Sequence, residues 1–114
     1  MSRDDATLLD MLKAARLVVE FKGKLTKKVF LRDVKTQSAI LHQLLVIGEA
    51  VKRLSEDFRA KHAEISWIRI AGMRDKLIHH YDAVDLDEVW KTVTKDIAPL
   101  ISFLERLVTG HKVE

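Results

Sequence analysis

Apolar residues recur along this chain at the three-and-four spacing of a helix, in four stretches each long enough for several turns. Leu8, Met11, Leu12, Ala15, Val18 and Val19 make the first stripe, and Ile40, Leu41, Leu44, Leu45, Gly48 and Val51 the second. Trp67, Ile70, Ala71, Leu77, Ile78 and Tyr81 share a third sector at about 100° per residue. The fourth runs from Leu86 through Val89, Val93, Ile97, Leu100 and Leu104 to Val108. Turn material is scarce, with four Gly and one Pro in 114 residues, so many short strands are excluded. The pattern predicts an all-α fold: an up-and-down bundle of four main helices plus a short connecting helix, in one domain over residues 1–114.

Local signals set the boundaries. Ser2, with Asp5 three residues later, opens the first helix as a weak capping box, and Lys22-Gly23-Lys24 breaks it. A second helical region starts near Thr26 and bends around Asp33. Val46, Ile47, Ala50 and Leu54 widen its stripe to two sides, as expected of a central helix or one that packs on a partner chain. Gly48 inside it costs about 1 kcal/mol of propensity relative to Ala, so its expected use is a close helix approach. Ser55 restarts a short helix through Lys61, and Ser66 caps one from Trp67 to about His80 or Tyr81. Asp85 caps the last and longest helix, with Pro99 on its wet face and Gly110 where a stop belongs. No repeat, linker or low-complexity tract interrupts this order.

The absence of Cys excludes a disulfide framework and a thiolate metal site. Arg3, Asp4, Asp5 and Asp10 leave no signal-peptide apolar core, and no apolar run approaches the roughly 20 residues of a membrane span. A cytoplasmic setting is expected. Net charge is +3, yet the segment from Lys22 to Lys35 carries six cations against Asp33 alone, leaving the rest of the chain slightly acidic. Two readings of that segment stand: a solvated loop and helix start, or a patch that contacts phosphates.

One residue of the third stripe is out of place. Arg74 falls in the middle of the apolar sector, and a guanidinium there is costly unless an anion meets it. His79, His80 and Tyr81 follow within seven positions. A fixed cation and a base titrating near neutrality suit attack of a ribose 2′-hydroxyl on the adjacent phosphate, which calls for no metal. On an ideal helix Arg74 and His79 lie roughly 140° apart. Convergence therefore needs a bent Arg side chain, a loosened helix at His79, or a second copy of the chain. His79 can alternatively cap carbonyls at a helix end. His80 reads as solvent-facing, and no second His/carboxylate cluster at ligand spacing supports a metal or other cofactor. Tyr81 is either core or a site at the rim, and Glu49 is a candidate partner for Arg74.

Several stretches, in order, carry a family resemblance: Leu9-Asp10-Met11-Leu12, Ile47-Gly48-Glu49-Ala50, Trp67 through Asp75, His79-His80-Tyr81, Val89-Trp90 and Asp96 through Leu100. Together, from about Asp4 to Val108, the chain resembles the HEPN superfamily and, within it, the HepT-like toxins of bacteria and archaea. The resemblance implies an all-α bundle that forms a homodimer, bringing two Arg-x4-His motifs to a shared cleft. It also implies metal-independent endoribonuclease activity on RNA and a minimal nucleotidyltransferase antitoxin as partner. In some such pairs the partner silences the toxin by adding AMP to the motif tyrosine. On this chain the catalytic pair would be Arg74 and His79, and the AMP acceptor Tyr81. Asp75 departs from the Asn the family often places there. A carboxylate at that position can pair with Arg74 or raise the pKa of His79, and its charge works against RNA. The competing expectation is a non-catalytic helical module that binds a nucleotidyltransferase or a nucleotide.

Overall fold

The structure is a computed structural model that describes residues 3–113, with residues 3, 81 and 109–113 described by their backbone alone. Helix α1 spans Arg3–Lys22 and ends where Gly23 takes φ 50, the left-handed region that favours glycine. The Ser2 cap lies outside the described residues. A single turn, α2 (Lys27–Phe30), is capped by the Thr26 hydroxyl accepting from Val29 N–H. Helix α3 (Val34–Arg53) starts afresh at Asp33, whose carboxylate accepts from the Thr36 amide at 3.0 Å and the Thr36 hydroxyl at 2.7 Å. Those bonds hold the Asp33 pKa below its ordinary value. The bend expected at Asp33 is therefore a complete break, because this side chain caps a new helix instead of riding inside one.

Ser55 caps the short α4 (Glu56–Lys61) and also donates its hydroxyl to Asp4 at 2.9 Å, tying that joint to α1. Helix α5 covers Trp67–His79 and is followed by a single 3-10 turn, Tyr81–Ala83. Asp85 caps α6 (Leu86–Lys95) through two amides. The expected single last helix is interrupted at Asp96, and α7 (Ile97–Val113) restarts from there. Pro99 accounts for the position: it has no N–H to offer the carbonyl four residues back, so the ladder fails one turn before it. Neither piece is the longest helix, since α1 and α3 have 20 residues each. Gly110 is no stop either, as α7 continues through it.

Among the described residues there is no strand. Helix α3 packs against α1 on one side and α5 on the other, α1 also meets α7, and α6 meets α7. That central position explains its two apolar sides: Ile40, Leu44, Ile47, Ala50 and Val51 are buried. They join one core with Met11, Ala15 and Val18 of α1 and Leu100 and Leu104 of α7. Phe103 closes the far end against Phe58, His62 and Trp67. The chain is an all-α bundle in which α3 lies between α1 and α5, α7 packs on α1, and α6 packs on α7.

Candidate active site

The α3–α5 contact is unusually close because of one glycine. A Cβ on Gly48 would lie 2.1 Å from Arg74 Cβ and 2.8 Å from its Cγ. The stem of Arg74 occupies the space where a side chain on α3 would be. This is the close approach read from the sequence, and Arg74 is the residue that uses it. The buried residues of α5 are Trp67, Met73 and Leu77, with Ile70 and Ala71 partly covered. The apolar sector is thus rotated from the expected one: Met73 belongs to it, while Ile78 is 42% exposed.

Seated on Gly48, the Arg74 side chain is 21% exposed, and anions meet its guanidinium on two sides. Nη2 lies against Glu49 Oε1 of α3, and Nη1 donates to Asp75 Oδ1 at 3.0 Å. Nε is buried with no hydrogen-bond partner. Asp75 Oδ1 also accepts from Lys52 Nζ, again of α3, at 2.6 Å. Glu49, Arg74, Asp75 and Lys52 thus alternate in sign along one chain of contacts between two helices.

Each member steadies the next. The bond to Asp75, reinforced by Glu49 and opposed by burial, pushes the Arg74 pKa further above its ordinary value. Bonds from Lys52 and then Arg74 hold Asp75 below its ordinary 3.8. A carboxyl lowered on folding keeps its partners at neutral pH and loses them only as acid carries the pH down through the lowered value. Of the two roles open to Asp75, pairing with Arg74 is the one the geometry realises.

The other motif residues lie apart from this cluster. His79 is the last residue of α5 and is exposed, as is His80. The carbonyl of Lys76 in the last turn accepts from the backbone N–H of His80 at 2.9 Å. Arg74 faces α3 while His79 sits in solvent five residues on, so within one chain the two are not drawn into contact. Tyr81 lies beyond the end of α5, in the 3-10 turn, so an ideal helix projected from Arg74 does not place it. Its side chain lies outside the described residues. Lys52 was not singled out in the sequence. The available signal was its position three residues after Glu49, on the same face of a helix that carries Gly48.

The basic segment is partly committed to structure. Lys27 pairs with Asp87 at 2.9 Å, and Lys22 lies 5.3 Å from the Trp90 ring, which also meets Phe30 at a tilt of 37°. Lys24, Lys28, Arg32 and Lys35 remain exposed. Among the described residues, no helix is long and apolar enough to cross a membrane, and no group of three or more His, Cys, Asp or Glu side chains could hold a metal ion.

Comparison with known proteins covers nearly the whole chain. Residues 11–107 match the family model described as "Ribonuclease HepT-like". A protein of Thermococcus cleftensis named "Probable ribonuclease HepT" is 45% identical over 100 residues, 88% of this chain and 91% of that one. "Putative RNase MJ0127" of Methanocaldococcus jannaschii is 39% identical over 103 residues, covering 90% of this chain and 85% of that one. A third relative, "Putative RNase TTE0752" of Caldanaerobacter subterraneus, is 35% identical over 102 residues, covering 90% and 91%. No solved structure matches significantly. A helical bundle with a guanidinium fixed at the crossing of its central helices thus coincides with a nearly full-length match, and the chain belongs to the HepT-like ribonuclease family.

Proposed function

We propose that this chain is the toxin of a toxin–antitoxin pair, a metal-independent endoribonuclease of the cytoplasm that acts as a homodimer of one-domain chains. The observation that carries the reading is the seating of Arg74 on Gly48, with its guanidinium held between two carboxylates and its side chain still 21% exposed. A cation fixed in that way is prepared for the charge that builds on phosphate oxygens when a 2′-hydroxyl attacks. His79, exposed at the end of the same helix, is the base that removes the hydroxyl proton. Because the two side chains diverge within one chain, the reading requires a second protomer whose motif completes the cleft. Glu49 and Asp75 are orienting partners of Arg74 in this scheme.

The test is direct. Purified protein incubated with total RNA in EDTA should cut it and leave 2′,3′-cyclic phosphate ends. Cleavage that stops on chelation, or ends lacking the cyclic phosphate, would remove the mechanism.

The partner in this reading is a minimal nucleotidyltransferase antitoxin that adds AMP to Tyr81. AMP there would place bulk and negative charge two residues from His79, where RNA phosphate must pass. In protein coexpressed with such a partner, mass spectrometry should find AMP on the peptide containing Tyr81, and light scattering of the free chain should give twice 13.1 kDa. An unmodified peptide from a neutralised pair rules out covalent control, and a monomer rules out the shared cleft.

One observation favours a competitor. A guanidinium already held by two carboxylates is a weaker phosphate clamp than a free one, as suits a non-catalytic module that binds a nucleotidyltransferase or a nucleotide. That module would leave total RNA intact.

A further inference from the structure

We propose that Lys52 is a positioning residue for Arg74, acting through Asp75 to keep the guanidinium available to an RNA phosphate. The inference rests on the ribonuclease reading above and adds a residue outside the Arg-x4-His motif.

The argument begins with charge. Two carboxylates and one guanidinium alone would give the cluster a net charge of −1, the wrong sign for a polyanionic substrate. Lys52 brings it to zero. Contact geometry then shows how. Asp75 Oδ1 is shared, with Lys52 Nζ nearer at 2.6 Å and Arg74 Nη1 at 3.0 Å. The shorter bond draws the carboxylate toward α3 and weakens its hold on the guanidinium. Without Lys52, the undivided charge of Asp75 would turn on Arg74, closing the fork from one side while Glu49 holds the other. A phosphate needs the outward N–H groups of that fork and would have to displace a tighter competitor.

Lys52 is also distinct from an ordinary surface cation. Its position is fixed by the helix that presents Gly48 and Glu49, so one rigid element supplies the seat, one anion and the counter-cation. As an exposed pair, Lys52–Asp75 contributes little to stability, so its loss should leave the fold intact.

The experiment is a double-mutant cycle on cleavage of a short labelled RNA, with wild type, Lys52→Ala, Asp75→Asn and the pair combined. Lys52→Ala should lower kcat/KM at least about fivefold, the effect of the roughly 1 kcal/mol that one uncompensated charge exerts at contact distance when screened as in water. In the Asp75→Asn background the same change should cost less than about twofold, because the charge that Lys52 restrains is gone. Lys52→Arg should restore most of kcat/KM, and circular dichroism should confirm the fold of every variant.

An equal cost in both backgrounds would mean that Lys52 touches RNA itself, and no cost in either would mean an idle surface pair. Each outcome overturns the proposal. Failure of the wild type to cut any RNA is a different result and sinks the ribonuclease reading. The cycle is then read by fluorescence anisotropy of the same labelled RNA, where the same non-additivity is expected and its absence, or absence of binding, defeats the positioning role.

Discussion

Arg74→Ala and His79→Ala should each slow RNA cleavage at least about a hundredfold, the lower end of what a positioned acid or base contributes. For Arg74 the loss has an electrostatic origin. A donor fixed before the reaction stabilises charge that develops only in the transition state, and removing one such donor typically costs about a hundredfold to a thousandfold in kcat. Lys at position 74 should not restore the rate, since a point charge cannot reproduce the planar fork that engages anions on two sides. For His79 the loss is that of the proton acceptor in the proposed mechanism. His80→Ala, one residue past the helix, should matter far less. Rates within a fewfold of wild type for either Ala variant would end the mechanism.

The second large effect concerns stability. Gly48→Val should destabilise the fold by about 3 kcal/mol and lower Tm by about 10 °C or more. The new side chain would enter space held by Arg74 Cβ and Cγ, atoms too close to the backbone to swing aside. Helix α3 or α5 would have to shift, and the whole charge cluster sits at that crossing. Gly72→Ala is the matched control. That glycine also lies within a helix, but an added Cβ would meet nothing within 4 Å, so the change should be neutral or stabilising by up to about 1 kcal/mol. Chemical denaturation of both variants separates a packing requirement from a general property of helical glycines. Equal stability of Gly48→Val and wild type would show that the close approach is not required.

Helix identity was legible because each stripe repeats at helical spacing, and Gly23, Ser55 and Asp85 mark their junctions by ordinary capping chemistry. The failures were at places where a side chain competes with the backbone. Asp33 reads equally as an interior residue or a cap, and only its bonds to Thr36 decide. Asp96 gave no signal of its own, since the interruption is forced by a proline three residues later.

At the site, Arg74 was conspicuous as a cation in an apolar sector, and Glu49 as a carboxylate flanking the wide apolar face of the central helix. Lys52 was not conspicuous. Sign alternation across two helices has no sequence period, so a charge pair spanning 23 positions looks like any two surface residues. The placement of Tyr81 failed for a simpler reason: helical projection holds only while the helix lasts, and α5 ends at His79.

The division of the cluster between α3 and α5 bears on how the protein is made. Chains emerge from the ribosome N-terminus first. Glu49 and Lys52 leave the tunnel on one helix well before Arg74 and Asp75 leave on another. A nascent or prematurely terminated chain that stops short of α5 holds only Glu49 and Lys52 of the cluster and lacks Arg74. Even a chain that includes α5 gains the arrangement only when that helix docks on Gly48. A chain of a ribonuclease family is translated from the class of molecule its family cuts, in contact with ribosomal RNA throughout. In the proposed mechanism, activity therefore waits until α5 has been made and has docked on α3.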